Sequence, residues 1–300
     1  MKSHIFVLLA GICWGLTGFF NRFTTALGFS QSQILFARCI VPFVVLGVYL
    51  LVADRNALRI KLRDLWCFLG SGLLSVTMFG LAYMNAMQEM SLSLAVVLLY
   101  TSPVFVMVLS AIFFHERITR AKLIALACVI AGVLLTAGVF SGQVATTPKG
   151  IALGITSGVG YALYSIFSRF AFERGYSPMT VTFYTFLFSS LAVACVTDLP
   201  QMATLSTTPE AIGWLLGLGV VTCLAPYILY TKGLEGLENG IASILASIEV
   251  AAATTVSTLV FHEPFGLMNA CGIALLFAGI VMMNLQPARS AKNAPQNDGM

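Results

Sequence analysis

Charged side chains are scarce in this chain. Asp, Glu, Lys and Arg make up 9% of its 300 residues, whereas soluble domains carry roughly 25%. A soluble protein of this length must cover a large surface with polar groups, and so few charges cannot do so. The small net charge of +4 also argues against nucleic-acid binding. With 58% apolar residues, the chain fits neither a soluble nor a disordered protein. We expect a polytopic membrane protein surrounded by a lipid bilayer.

Motifs for metal, nucleotide or catalytic chemistry are also missing. The seven cysteines lie singly in separate apolar runs, without Cys-x-x-Cys pairs or histidines at zinc spacing. The sequence has no H-E-x-x-H, G-x-S-x-G or P-loop motif, and no Asp/Glu dyad within an apolar run. These absences argue against an enzyme and against a nucleotide-driven pump, and we expect neither a cofactor nor a metal site.

Ten apolar runs are each long enough to cross a bilayer, which takes about 20 helical residues. They lie near 4–22, 32–52, 65–86, 92–114, 122–140, 150–171, 178–197, 211–230, 239–261 and 267–285. The first run follows Lys2 as in a signal peptide, but a closely similar segment recurs inside the chain at 151–170, so we interpret it as a span. The polar tail, 286–300, is expected to be disordered and cytoplasmic.

Positive charges between the runs predict the orientation. With the N-terminus in the cytoplasm, thirteen of the 16 Lys and Arg residues fall on the cytoplasmic side, as the positive-inside rule requires. They are Lys2, Arg55, Arg59, Lys61, Arg63, Arg117, Arg120, Lys122, Arg169, Arg174, Lys232, Arg289 and Lys292. We therefore expect both termini in the cytoplasm and the chain in the cytoplasmic (inner) membrane.

The chain matches itself at an offset of 147 residues. The tripeptide Phe-His-Glu at 114–116 recurs at 261–263 without a gap. Other pairs at this offset are Gly11 and Gly158, Tyr83 and Tyr230, and Gly132 and Gly279. Each unit, 1–147 and 148–285, holds five spans, and an odd number places the second unit upside down in the membrane. The predicted fold is all-α, with ten transmembrane helices in two inverted five-helix repeats. This architecture is typical of secondary transporters.

Two stretches carry a resemblance to a known family. Residues 93–103 read S-L-A-V-V-L-L-Y-T-S-P, and residues 113–119 read F-F-H-E-R-I-T. With the ten spans, these motifs resemble the EamA family of the drug/metabolite transporter superfamily across residues 4–285. The family commonly reads Glu-Pro where this chain has Glu249 followed by Val250, so a helix break in the ninth span does not follow from the resemblance. The resemblance implies transport of small metabolites, such as amino acids or toxic compounds, and it implies the fold more firmly than the cargo.

Two helices related by the offset carry polar and aromatic stripes that are candidates for substrate binding. Trp14, Thr17 and Asn21 share one helical face of the first span. The offset maps this face onto the sixth span, at Tyr161, Tyr164, Ser165 and Ser168. The stripes either flank the translocation pathway or provide interhelical hydrogen bonds with interfacial aromatics.

Other spans contribute further candidates, because polar groups facing lipid are costly and should point inward. They are Tyr83 in the third span, Tyr100 and Ser102 in the fourth, Tyr227 and Tyr230 in the eighth, and Ser243 and Ser247 in the ninth. Several rings with few fixed charges suit a cargo that has an apolar body and a small polar head.

Two charges fall inside predicted spans. Glu249 lies at mid-depth in the ninth span and Arg38 lies two turns into the second, where an unpaired charge costs roughly 2.5 kcal/mol or more. In a functional role, Glu249 couples protons or contacts a substrate ammonium. In a structural role, it makes a buried polar contact, such as a pair with Arg38. The two His-Glu pairs, at 115–116 and 262–263, are expected to cap helices and form loop ion pairs. They lie on opposite sides of the membrane, which argues against a shared metal.

The repeat, the polar interior and the missing catalytic motifs together predict a secondary transporter. We expect it to move a small metabolite, an amino acid or a related amphipathic compound, by alternating access. Export is the expected direction, although the mechanism is reversible. A membrane-embedded enzyme and a non-transporting sensor or scaffold are the alternatives. Small-residue pairs such as Gly11 and Gly15 fit both a monomer and a homodimer.

Overall fold

The computed structural model describes residues 2–138 and 146–284. Regular structure in these residues is helical, apart from a single bridge between Met90 and Thr146. The first half contains α1 (Lys2–Gly15), α2 (Thr17–Ala26), α3 (Gln31–Ala53), α4 (Leu65–Leu69), α5 (Met78–Glu89), α6 (Leu92–Leu99), α7 (Ser102–Phe114) and α8 (Arg120–Thr136). The second half contains α9 (Pro148–Glu173), α10 (Pro178–Ala194), α11 (Leu199–Leu205), α12 (Pro209–Gly219), α13 (Ala225–Leu234), α14 (Asn239–Ala246), α15 (Ile248–Phe261) and α16 (Leu267–Asn284).

Eight helical segments in the described residues are long and apolar enough to cross a membrane. They are Lys2–Ala26, Gln31–Ala53, Leu62–Glu89, Leu92–Phe114, Pro148–Glu173, Pro209–Leu234, Asn239–Phe261 and Leu267–Asn284. The bent pair α10 and α11, at an angle of 103°, would make a ninth. The predicted fifth span, 122–140, corresponds to α8, which has 17 residues. In the part of the chain that the structure describes, the predicted all-helical, multi-pass architecture is therefore confirmed, with eight or nine candidate spans where the sequence predicts ten. The predicted tail, 286–300, lies outside the described residues.

Serine and threonine side chains begin many of these helices. An N-cap hydroxyl accepts a hydrogen bond from the backbone N–H three residues later and so satisfies one of the free donors at a helix start. The caps of α3, α6, α8, α9, α10 and α12 are Ser30, Ser91, Thr119, Thr147, Ser177 and Thr208. These N-cap residues thus fix where the helices begin. The connections between the spans are short.

Local irregularities recur at the offset of 147 residues. A π-helical segment joins α4 to α5 at Gly70–Thr77, and another joins α12 to α13 at Val220–Leu224. The fourth predicted span breaks between α6 and α7, and the ninth breaks at Ser247, between α14 and α15. The second break forms without a proline, so the missing Glu-Pro dipeptide does not prevent it.

The two histidines of the His-Glu pairs end their helices in the same way. His115 follows α7 and His262 follows α15, each with a left-handed φ of 54°. In both turns the N–H of the following glutamate donates to a serine carbonyl, Ser110 for Glu116 and Ser257 for Glu263. The predicted capping role of these pairs is therefore present as helix C-caps.

Each half inserts its first helix against the broken helix of the other half. A Cβ atom at Gly11 of α1 would lie 2.8 Å from the carbonyl oxygen of Ala246, at the end of α14. A Cβ atom at Gly158 of α9 would lie 2.9 Å from the carbonyl oxygen of Leu98, near the end of α6. Glycine is needed at both crossings because any side chain would collide with backbone. Each first helix thus packs on helices of the opposite half, α1 on α14 and α15 and α9 on α6 and α7.

Candidate functional site

Five aromatic side chains from α1, α9 and α13 meet where the two halves join. They form the aromatic cluster, which consists of Trp14, Tyr161, Tyr164, Tyr227 and Tyr230. The Trp14 ring centroid lies 6.0 Å from that of Tyr161, 5.5 Å from that of Tyr227 and 5.2 Å from that of Tyr230. These separations are typical of edge-to-face and tilted aromatic pairs. All five residues are sequence candidates, and the structure brings them together.

Two of the four tyrosine hydroxyls in the aromatic cluster bond to neighbouring hydroxyls. The oxygen of Tyr164 lies 2.6 Å from that of Thr231, and the oxygen of Tyr230 lies 2.9 Å from that of Ser165. A buried tyrosine needs such a partner to offset the loss of water. The two bonds join α9 to α13 and fix the ring positions.

A small cavity lies inside the aromatic cluster. Its volume is about 10 Å³, and Ser75 and Phe79 complete its lining from the third helical span. A cavity of this size holds about one water molecule. The helices must therefore separate before anything larger than water can enter. Ser75, which lies in the first π-helical segment, is not among the candidates that the sequence predicts.

Glu249 lies beside the aromatic cluster, in the first turn of α15. The Tyr161 hydroxyl donates to its carboxylate over 3.4 Å, and the Tyr100 hydroxyl also bonds to it. Tyr83 is close enough to interact with Glu249 electrostatically. Three sequence candidates from α5, α6–α7 and α9 thus surround one acidic side chain. Together they form a polar end to the aromatic cluster.

Arg38 is the second charge inside this region. Its Nε donates to the Cys223 sulfur over 3.3 Å, and it attracts Glu249 electrostatically. Among the described residues, however, no carboxylate lies within 4.0 Å of Arg38. In this conformation Arg38 and Glu249 share an interior without forming a direct ion pair. The Arg38 guanidinium and the Glu249 carboxylate are therefore both able to bind a ligand.

The remaining sequence candidates lie around this centre. Thr17 and Asn21 lie on α2, beyond a one-residue interruption at Leu16, and are partly buried. Ser102 is buried at the start of α7. Ser243 donates to the Gly240 carbonyl and Ser247 to the Ser243 carbonyl. These two hydroxyls therefore stabilise the end of their own helix.

A buried ion cluster closes one end of the interface. It consists of Lys122 and two carboxylates, Glu116 and Glu238. The Lys122 side chain is 3% exposed and lies 3.8 Å from Glu116, and it also bonds to Glu238. Sequence reasoning counted Lys122 among the loop charges. Its burial depends on α14 of the other half, which no local pattern reveals.

Glu116 also caps α14, a helix of the other half. Its carboxylate accepts the backbone N–H groups of Asn239 over 2.8 Å and Gly240 over 3.3 Å. An acidic group is favoured at a helix N-terminus, where the free N–H groups point outward. Burial raises the pKa of Glu116, and these two N–H donors together with Lys122 oppose that rise. Glu116 thus holds α7 and α14 together.

The corresponding feature at the opposite end of the molecule is open. Glu263, which is related to Glu116 by the 147-residue offset, pairs with Arg22 over 3.1 Å. The two side chains are 47% and 55% exposed. The end that loop charges predict to be cytoplasmic is therefore sealed by buried ions, whereas the other end carries a solvent-facing pair.

Comparisons with known proteins agree with this architecture. The model of the EamA-like transporter family matches residues 1–138 and again residues 148–285. A protein of Archaeoglobus fulgidus named as an uncharacterized transporter is 31% identical over 201 residues, which cover 67% of this chain and 70% of that protein. A protein of Helicobacter pylori, also named as an uncharacterized transporter, is 26% identical over 289 residues, 93% of each chain.

A solved crystal structure shows the same fold at low sequence identity. It is 17% identical, with a TM-score of 0.78, and the match covers 94% of this chain and 96% of that chain. The family model covers most of the sequence, and it does so once in each half. The chain therefore belongs to the EamA-like transporter family, within the drug/metabolite transporter superfamily.

Proposed function

We propose that this protein is a secondary transporter that exports a small amphipathic metabolite, an amino acid or a related compound, across the cytoplasmic membrane. The observation that carries the proposal is the aromatic cluster between the two halves, with Glu249 at its edge. Small-molecule binding sites typically combine an apolar lining with a few convergent polar groups. Family membership supports transport over an enzymatic role.

The chemistry of the site fits a cargo with an apolar body and a charged head. Rings of the aromatic cluster can pack against the apolar body and can attract a cation through their faces. Glu249 can pair with an ammonium, and Arg38 can pair with a carboxylate. Because neither charge has a direct counter-ion among the residues that the structure describes, a zwitterionic head would satisfy both at once.

Alternating access would use two inverted five-helix repeats, 1–147 and 148–285. The matching glycine crossings at Gly11 and Gly158 support this relation, as does the double match of the family model. In transporters of this kind one repeat rocks against the other around a fixed central site. The 10 Å³ cavity and the buried ion cluster fit a state that is closed to the cytoplasm, with both termini cytoplasmic.

Proton coupling is assigned to Glu249 in this proposal. A carboxylate within a bilayer is costly unless it is paired or protonated, and Glu249 has only hydroxyl partners at hydrogen-bond distance in the described residues. Binding of a cationic cargo and binding of a proton would therefore compete for the same carboxylate. Such competition would link cargo release to proton entry.

Uptake by proteoliposomes tests the proposal. Purified protein is reconstituted, and uptake of radiolabelled amino acids and related amphipathic amines is measured with and without an imposed pH gradient. We expect at least one compound to accumulate in response to the gradient, and we expect Glu249→Gln to lose that response. Glu210→Gln is the matched control, because Glu210 is exposed in the first turn of α12.

Two results would contradict the proposal. Absence of flux for every compound, from protein that is folded and correctly inserted, would favour a sensor or scaffold. Equal gradient dependence in the wild type and in Glu249→Gln would remove the coupling role while leaving transport itself in place.

A further inference from the structure

An apolar groove lies on the lipid-facing surface of the protein, separate from the proposed transport site. This α3 groove has a volume of about 260 Å³ and lies between α3 and α10. Its lining side chains are all apolar: Phe43, Val44, Val48, Leu51, Leu58 and Phe183. Leu58 comes from the short helical turn Arg55–Leu58 that follows α3 and closes one end of the groove.

The α3 groove faces the lipid and runs along one leaflet. Val44, Val48 and Leu51 are 49%, 59% and 54% exposed, which is the expected state of apolar side chains in contact with acyl chains. From Phe43 to Leu51 the helix rises about 12 Å at 1.5 Å per residue. One leaflet of the hydrocarbon core is about 15 Å thick. The groove is thus long enough to hold most of an acyl chain.

A cluster of basic side chains lies at the closed end of the groove. The Arg55 Nε donates to the carbonyl of Leu51, a groove residue, over 2.7 Å. Arg59 and Lys61 follow within six residues, and all three side chains are exposed. In the described part of the chain no carboxylate lies within 4.0 Å of these three. Within that part of the chain, no direct ion pair therefore neutralises these three side chains, and Asp54, the nearest acidic residue in sequence, accepts the Ala57 N–H instead.

Hydrogen bonds to the neighbouring elements hold this basic segment in place. The Tyr184 hydroxyl of α10 donates to the Leu58 carbonyl over 2.7 Å. The Lys61 N–H donates to the Tyr176 hydroxyl over 3.0 Å, and that hydroxyl donates to Asp64. Asp64 is itself 3.3 Å from Arg174, so it does not neutralise the cluster. The backbone that carries the basic side chains is thus held at the groove end.

We propose that the α3 groove binds an anionic phospholipid, with one acyl chain along Phe43–Leu51 and the phosphate at Arg55 and Arg59. A run of Lys and Arg immediately beyond a transmembrane helix attracts anionic headgroups, at about 1 kcal/mol for each basic side chain. The apolar groove supplies the second half of the recognition, since it excludes the headgroup and accepts the chain. A free anion would contact only the basic end.

Lipid retention in mild detergent tests this site. The protein is reconstituted with phosphatidylglycerol and phosphatidylcholine, extracted, and the retained lipids are counted by native mass spectrometry. We expect phosphatidylglycerol to be enriched, and we expect Arg55→Gln/Arg59→Gln to weaken its retention about 25-fold, at about fivefold for each charge. Arg117→Gln/Arg120→Gln is the matched control, because these side chains are exposed and lie away from the groove.

A second variant separates the acyl chain from the headgroup. Val48→Trp fills the α3 groove and leaves every basic side chain in place, so it should also abolish the enrichment. Glycerol 1-phosphate should not displace the lipid, because it has no chain. Three results would each overturn the proposal: unchanged enrichment in Arg55→Gln/Arg59→Gln, unchanged enrichment in Val48→Trp, or displacement by glycerol 1-phosphate, which would indicate a free-anion site.

Discussion

Removing Lys122 tests whether the buried ion cluster keeps one side of the protein closed. The Lys122→Met variant retains the length of the side chain and removes its charge. It leaves Glu116 and Glu238, 8% and 22% exposed, facing each other without the ammonium that joins them. We expect opening to separate these two carboxylates, so their repulsion should destabilise the closed arrangement alone.

The magnitude follows from the burial of the cluster. Removing one partner of a buried ion pair costs about 3–5 kcal/mol, which is a change of about 100- to 4,000-fold in the equilibrium between closed and open states. The exposed Arg22–Glu263 pair at the other end should contribute only about 0–1 kcal/mol. Arg22→Met is therefore the matched control, with little expected effect.

Cysteine labelling measures the opening directly. Met107 is 5% exposed and packs beneath Gly240 of α14, so a Met107→Cys reporter in a cysteine-free background should react slowly with a water-soluble maleimide. We expect Lys122→Met to raise the labelling rate at least 100-fold if the closed state predominates in the parent. Neutralising the whole cluster, with Glu116→Gln and Glu238→Gln added, should restore slow labelling.

Two results would refute this reasoning. Equal labelling rates in Lys122→Met and the parent would show that the ion cluster does not hold the interface closed. Fast labelling in the neutralised triple variant would show that the effect comes from misfolding rather than from unpaired carboxylates.

Two further predictions concern packing and orientation. Gly158→Ala should lower the melting temperature strongly, because the new Cβ would lie 2.9 Å from the Leu98 carbonyl. Gly213→Ala is the control: a Cβ there has nothing within 4 Å, so the melting temperature should stay unchanged or rise. Equal shifts in the two variants would contradict the helix crossing. In intact cells, an impermeant maleimide should label Ala203→Cys and spare Asn56→Cys, and the reverse pattern would contradict the cytoplasmic N-terminus.

Much of the fold can be predicted from the sequence, because a helix that crosses a lipid bilayer must be a long apolar run. The segment Gln31–Ala53 shows this well: its predicted bounds, 32–52, agree with the helix to within one residue at either end. The spans at 122–140 and 178–197 appear as shorter helices of 17 residues. In the second case the chain bends through 103° before α11, a feature that hydropathy does not encode.

The 147-residue offset pairs Trp14 with Tyr161, and the two rings lie 6.0 Å apart. Tyr227 and Tyr230 do not follow from that pairing and are candidates only as polar side chains of the eighth span. Burial of Lys122 and the sulfur contact of Arg38 could not be predicted, since both depend on side chains more than 100 residues away. The break at Ser247 has no local proline signal, and it lies where α14 and α15 pack against Gly11 and Gly15.

Counterflow in proteoliposomes tests the central claim, that the aromatic cluster is a transport site reached alternately from the two sides. Vesicles preloaded with unlabelled cargo should take up labelled cargo transiently above its equilibrium level. Trp14→Ala should abolish this overshoot, while Trp66→Ala, which changes a ring at the surface (41% exposed), should preserve it. An overshoot of wild-type size in Trp14→Ala, at equal amounts of inserted protein, would contradict the account.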